Sequence, residues 1–383
     1  MRIVADEHIP FLRGVLEPFA ELIYLPGQRI TSEDVRDADA LLVRTRTRCS
    51  GSLLDGSRVR FIGSATIGTD HIDVGYCAER SIQWVNAPGC NASSVTQYVG
   101  SALACIAKKQ GLRMSSLTMG IIGAGNVGSR VERLAKALGM RVLVNDPPRA
   151  RQEGAEGFVP LDTILRESDV VTIHVPLHRQ GSDRTYHLGD SDFFDRLLRR
   201  PFLINTSRGE VVDTAALKQA LLQRKVTGAV IDVWENEPEI DRGLLAAADI
   251  ATPHIAGYSV DGKANGTTVI VRAVSRHFGL GLDAWQPQDL PSPAPISDRL
   301  PSGASTEEVL LSCIELTYNV ADDSRRLKES PGDFERQREN YPVRRDFPFH
   351  RIRSPEALEK AGKELKDLGF GVGSCETQSR KEG

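Results

Sequence analysis

Three residues of this 383-residue chain, Arg208, Glu237 and His254, have types and an order that could carry a reaction. Each stands in a turn-like stretch behind a β-type run: Asn205-Thr-Ser-Arg208-Gly209, Asp232-Val-Trp-Glu-Asn-Glu237-Pro238 and Thr252-Pro-His254-Ile-Ala-Gly257-Tyr258. Hydride transfer between a 2-hydroxy acid and a nicotinamide needs a cation for the carboxylate and an acid/base for the hydroxyl proton. The planar donor fork of Arg208 fits the first task. His254 fits the second, because an imidazole exchanges protons near neutral pH. Glu237 would orient that ring and favour its protonated form. Asp232 sits too early in its loop for this and is expected to face the nicotinamide amide. Taken singly, the three have plain alternatives: a surface ion pair, a carboxylate before a proline, a loop histidine. What sets those aside lies upstream.

Behind the buried-strand pattern Leu117 to Ile122 comes Gly123-Ala-Gly125-Asn126-Val127-Gly128, followed by apolar residues at helical spacing, Val131, Leu134, Ala135 and Leu138. In that context the three glycines form a fingerprint for a pyrophosphate at a helix N-terminus. The first permits a tight turn, the second lets backbone approach the phosphates, and the third lets helix and strand pack. The strand Arg141 to Asn145 then ends in Asp146, where a carboxylate would accept from both ribose hydroxyls and repel a 2′-phosphate. NAD is therefore expected over NADP, with Arg149 and Arg151 weighing slightly the other way.

The elements that must position these groups alternate between short β-runs and helical patterns, as in parallel sheets flanked by helices. Ile3 to Ala5, Ala40 to Val43 and Phe61 to Gly63 read as strands of a first unit. Ser93 to Lys109 reads as a long helix with Ser93 or Ser94 as its N-cap and Gly111 just past its end. Further strands are expected at Arg141 to Asn145, Asp169 to His174, Phe202 to Asn205, Gly228 to Val233 and Ile250 to Thr252. A helix from Asn265 to Phe278 returns the chain to the first unit. Pro287, Pro291, Pro293, Pro295 and Pro301 then mark a linker. Beyond it, Ser305-Thr-Glu-Glu308 fits a capping box ahead of an amphipathic helix, Glu356 to Leu368 reads as another helix, and Cys375 to Gly383 is polar enough to fray.

Composition narrows the partners. Apolar residues make up 40% and charged residues 26%, and 48 Lys plus Arg stand against 51 Asp plus Glu, a formal charge of -3. No basic field exists to hold nucleic acid or an anionic membrane, and no apolar run is long enough to span one. Six scattered cysteines lack zinc-ligand spacing, so no metal is expected and the thiols read as packing in a reducing cytoplasm.

Around these motifs the chain resembles the D-isomer-specific 2-hydroxyacid dehydrogenases over about Met1 to Phe278, with Arg208, Glu237 and His254 matching that family's Arg, Glu and His in order. Ala5-Asp-Glu, Leu42-Val-Arg44, Ala65 to Asp73, Ala87 to Ala92 and Tyr341-Pro-Val-Arg-Arg-Asp346 narrow the likeness to a branch with an added C-terminal module. The resemblance implies two doubly wound α/β domains, a flavodoxin-like substrate domain (1–93 and 255–285) and a Rossmann-type NAD domain (94–254), with an α+β C-terminal domain (286–383) that forms a homodimer. It implies NAD-dependent oxidation of 4-phospho-D-erythronate at C2 to 2-oxo-3-hydroxy-4-phosphobutanoate, a step toward pyridoxal phosphate. By the same likeness substrate contacts fall on Thr45, Thr66 and Tyr258. Cofactor contacts fall on Asn126, Val127, Asp146, Val175, Thr206, Ser207, Asp232 and Gly257. Where Val175 stands the family usually has threonine, so only backbone could serve there.

For the substrate's phosphate the residues themselves offer Arg44, Arg46 and Arg48, which would share a face if the segment were extended, Arg44 being the best placed. His71 and His174 read as structural. The rivals are another dehydrogenase of the group, such as one acting on phosphoglycerate, and an NAD-sensing protein without turnover, which would have no need of the Arg, Glu and His trio.

Overall fold

A computed structural model of the chain describes residues 1–293, 296 and 303–372. It divides into two compact units, Met1–Asn91 with Ser259–Pro291, and Ala92–Tyr258 with the segment from Ser292 onward.

The first unit is built on five parallel strands, β1 (Arg2–Asp6), β2 (Glu21–Leu25), β3 (Ala40–Val43), β4 (Phe61–Ser64) and β5 (Gln83–Val85), in the order β2-β1-β3-β4-β5. This is the flavodoxin-like order, which places a switch point between β1 and β3. β2 and β5, absent from the sequence reading, are edge strands and only half-buried to exposed, so they lack the apolar run that marks β3 and β4. The helix Val260–Phe278 packs on this sheet through Ile270, Val271 and Val274. It starts five residues before the expected Asn265, capped by the Ser259 hydroxyl, which accepts from the Gly262 N–H. Gly266 is required there: a Cβ would lie 2.4 Å from the Ala65 carbonyl.

The second unit holds six parallel strands, β6 (Thr118–Ile122), β7 (Arg141–Asn145), β8 (Val170–Ile173), β9 (Phe202–Asn205), β10 (Gly228–Ile231) and β11 (Ile250–Ala251), ordered β11-β10-β9-β8-β6-β7. Strand order reverses between β6 and β8, so the ligand crevice of a doubly wound sheet falls at their carboxyl ends. The helix Ala92–Gln110 begins before Ser93 and Ser94 instead of being capped by them. Ser94 is buried inside it and donates to Asp346, while Gly111 takes a left-handed φ of 64° just past its end.

The C-terminal segment, expected as a separate domain, shares the core of this second unit. The helix Thr306–Thr317, with its Ser305/Glu308 capping box formed, buries Leu310, Cys313 and Ile314 against Val99, Leu103 and Leu134. Leu327 and Phe334 join the apolar cluster of the sheet's other face. They come from helices Val320–Glu329 and Phe334–Glu339, which charged residues hide from a sequence reading. The helix Pro355–Asp367 and the parallel pair β12 (Arg351–Ile352) and β13 (Gly371–Val372) complete the segment. Residues 286–293 carry no helix or strand, as a linker would. Pro295, Pro301 and the stretch Cys375 to Gly383 lie outside the described residues.

Candidate active site

Three neighbouring parallel strands deliver the trio. β9 pairs with β10 and β10 with β11, in a register that sets Asn205 beside Ile231 and Ile231 beside Ala251. Arg208, Asp232 and Thr252 thus leave the sheet from the same end, along adjacent tracks.

Trp234, between Asp232 and Glu237, joins the three loops. Its backbone N–H donates to Glu237 Oε1 at 2.9 Å and its indole N–H to the Thr252 carbonyl at 2.9 Å. The Arg208 turn is pressed on it so closely that a Cβ on Gly209 would lie 2.0 Å from the Trp234 carbonyl. The role of Trp234 leaves one trace in the sequence, a lone tryptophan in a polar loop. Asn205, 1% exposed, brackets the Arg208 turn from the strand end, accepting from the Ser207 N–H at 3.1 Å and donating to the Arg208 carbonyl at 3.0 Å.

The other Glu237 oxygen, Oε2, lies 2.8 Å from His254 Nδ1. Burial pushes the Glu237 carboxyl up, but the His254 ring, the Trp234 N–H and Arg338 together hold it below the usual range. A charged carboxylate on Nδ1 fixes the ring and leaves Nε2 for chemistry. His254 itself adopts a left-handed φ of 55°, a costly conformation for a residue with a side chain, and its N–H is held by the Asp232 carbonyl at 2.7 Å.

Asp232 has a structural task as well. Its carboxylate is 1% exposed and accepts from the Thr252 hydroxyl (2.6 Å), the Ile255 N–H (2.8 Å) and the Ala256 N–H (3.0 Å), so it clamps the His254 loop from beneath. Burial raises its pKa against the pull of His254 and these donors. Any contact with a cofactor amide adds to that task. Tyr98 extends the clamp, its hydroxyl 2.7 Å from Thr252 Oγ1.

At the glycine turn the three positions differ as a phosphate cradle requires. A Cβ on Gly128 would strike the Gly123 carbonyl at 1.9 Å, and one on Gly123, at φ 89°, would strike the His174 carbonyl at 2.5 Å. On Gly125 it would meet nothing within 4 Å. Packing therefore explains the outer glycines, while the middle one leaves backbone open to a ligand, which fits a dinucleotide. Val127 leads into the helix Gly128–Ala137, and exposed Asn126 keeps its carbonyl on Arg130 at 3.1 Å. Val175 lines the turn. Asp146 also holds the turn, accepting from the Ala124 N–H at 2.8 Å and capping the helix Pro147–Glu153 through the Arg149 N–H at 3.0 Å. Arg149 is engaged by Glu153 and the Ala124 carbonyl, and Arg151 by Asp183.

Thr206 Oγ1 is 3.3 Å from His174 Nδ1, and the Ser207 hydroxyl donates to Asn205. His174 is half-buried, its desolvation pushes the ring's pKa down to about 3 and keeps it neutral, and His71 bonds Ser64 at 3.1 Å. Gly257 and Tyr258 follow His254 in the same loop.

In the first unit, Arg44, Thr45 and Thr66 lie just past the carboxyl ends of β3 and β4. Thr66 is 2.9 Å from the Ser64 hydroxyl. The arginines do not share a strand face as expected: β3 stops at Val43, and Thr45 to Thr47 form a turn anchored by the Thr47 hydroxyl on the Gly27 carbonyl at 2.8 Å. Arg44 alone is half-buried, with a long 3.4 Å bond to the His8 carbonyl.

A doubly wound sheet with an open glycine turn and a carboxylate–imidazole pair at the carboxyl ends of its strands is the arrangement of a nicotinamide-dependent dehydrogenase. Residues 97–256 match the family described as D-isomer specific 2-hydroxyacid dehydrogenase, NAD binding domain. Erythronate-4-phosphate dehydrogenase of Bacteroides thetaiotaomicron is 49% identical over 353 residues, covering 92% of this chain and 99% of that protein. The enzyme of the same name from Azotobacter vinelandii is 43% identical over 377 residues, 96% of this chain and 99% of that protein. Among solved structures, D-lactate dehydrogenase from Aquifex aeolicus, complexed with NAD and lactic acid, matches with a TM-score of 0.62 at 26% identity, covering 74% of this chain and 97% of that one. The chain therefore belongs to the D-isomer specific 2-hydroxyacid dehydrogenase family, in its branch of erythronate-4-phosphate dehydrogenases, and is an NAD-dependent oxidoreductase.

Proposed function

We propose that the protein oxidises 4-phospho-D-erythronate at C2 to 2-oxo-3-hydroxy-4-phosphobutanoate, a step toward pyridoxal phosphate. The observation that carries the chemistry is the Glu237 carboxylate 2.8 Å from His254 Nδ1, in a loop bonded to the one that abuts Arg208. The substrate follows from end-to-end similarity to enzymes of that name.

NAD, bound at the glycine turn with Asp146 toward its ribose, supplies the hydride acceptor. Arg208 grips the substrate carboxylate and holds C2 in place. His254 Nε2 takes the proton of the C2 hydroxyl as the hydride departs, and Glu237 steadies the imidazolium so formed. Tyr258, Thr45, Thr66 and Arg44 contact the remainder of the acid, Arg44 its phosphate.

The same reading makes the protein a cytoplasmic homodimer joined through its C-terminal segment, where Leu316, Val343 and Phe349 are exposed apolar side chains. Free thiols at Cys49, Cys77 and Cys313 accord with a reducing compartment. A sensor without turnover would have no use for the acid/base pair.

Comparing kcat/KM on 4-phospho-D-erythronate and on 3-phosphoglycerate tests the substrate. The former should be favoured by about a hundredfold or more, as charge and hydroxyl recognition allow. Faster turnover of 3-phosphoglycerate would replace this substrate with that one.

A further inference from the structure

The C-terminal segment grips the loop that carries His254 at two points. Arg344, 4% exposed, donates through Nη2 to the Ala256 carbonyl at 2.5 Å, while the Ala256 N–H goes to Asp232. Two residues on, Arg338 of the helix Phe334–Glu339 donates through Nη2 to the Tyr258 hydroxyl at 3.2 Å. Its Nη1 bonds Glu335 Oε1 at 3.0 Å, and its guanidinium sits 5.7 Å from the Tyr258 ring centre. Tyr341 meets that ring edge-on at 6.0 Å, with its own hydroxyl held by the buried Asp323 at 2.7 Å.

We propose that Arg338 is a positioning residue for substrate specificity: by donating to the Tyr258 phenol it fixes that oxygen in place and strengthens the phenol as a donor to an oxyanion of the phosphorylated acid. Folding alone does not call for this arrangement. Glu335 already pairs the charge, yet the second arm is directed at a neutral hydroxyl in the catalytic loop. A phenol oxygen that accepts from a cation is a stronger donor through its own hydrogen. The inference rests on the reading of Tyr258 as a substrate contact.

Steady-state kinetics on Arg338→Gln, Arg338→Lys, Tyr258→Phe and the double variant Arg338→Gln/Tyr258→Phe test it. Arg338→Gln should raise KM for 4-phospho-D-erythronate about tenfold, as loss of one charge-assisted bond does, with KM for NAD unchanged and kcat little altered. Arg338→Lys should recover most of the loss, and the double variant should be no worse than the more impaired single variant, because both act through one contact. Additive losses, an equal rise in KM for NAD, or a wild-type KM in Arg338→Gln would overturn the proposal. Should Arg338→Gln fail to fold, Arg338→Lys and Tyr258→Phe decide: wild-type KM for the acid in Tyr258→Phe would overturn it equally. If the unaltered enzyme does not turn over 4-phospho-D-erythronate, the substrate reading fails instead, and the same cycle is read on 3-phosphoglycerate.

Discussion

At the residue scale, neighbours set the charge of a buried carboxylate beside the His254 ring. Glu237 is held below its ordinary value of 4.5 by His254 and the Trp234 N–H, despite burial. A carboxylate depressed in the folded state contributes stability that is full above its unfolded pKa and is lost as pH falls through the folded one. Glu237→Gln should therefore unfold about 1–2 kcal/mol more easily than the parent at neutral pH, with the gap closing at an acid pH below the folded-state titration of the Glu237 carboxyl. Urea titrations at the two pH values check this, and a gap that persists in acid would show that the carboxylate's charge is not the source. The placement of Arg208, Glu237 and His254 behind strands was legible, since it follows from local sequence patterns. The role of Asp232 was not, because nothing in its neighbours along the chain reveals that Thr252, Ile255 and Ala256 close over it.

At the element scale, glycine positions separate packing from ligand approach. Gly209→Ala drives a methyl group into the Trp234 backbone, so it should cost about 2–3 kcal/mol and lower kcat by displacing the Arg208 turn. Gly125→Ala meets no neighbour; it should leave stability within about 0.5 kcal/mol while weakening NAD about tenfold or more by blocking the phosphates. Thermal melts and NAD titrations of the two variants distinguish these outcomes, and an NAD affinity unchanged in Gly125→Ala would remove the turn from cofactor binding. The central strands β3, β4, β6 and β8 to β10 were legible because sheets covered on both faces need continuous apolar runs. The edge strands β2 and β5 and the charged helices 320–329 and 334–339 were not, since each is fixed by contacts distant in sequence. The extended reading of Arg44 to Arg48 failed for the same reason: a turn held by Thr47 on Gly27 leaves no trace in local periodicity.

At the scale of the whole molecule, the C-terminal segment is part of the second unit's core. Ile314 is fully buried and packs against the helix Ala92–Gln110 near Gly100. Ile314→Ala should cost about 2–5 kcal/mol and speed amide exchange in the helix Ala92–Gln110 as well as in its own helix. Exchange changes confined to residues 303–372 would instead mark an independent domain. Sharing a core explains how a segment 80 to 88 residues further along the chain comes to hold Ala256 and Tyr258. The rate of NADH formation from 4-phospho-D-erythronate by His254→Ala tests most directly whether His254 acts as acid/base in hydride transfer. That rate should fall by about a hundredfold to ten-thousandfold while NAD still binds with unaltered affinity. Turnover at the parent's rate would contradict the account.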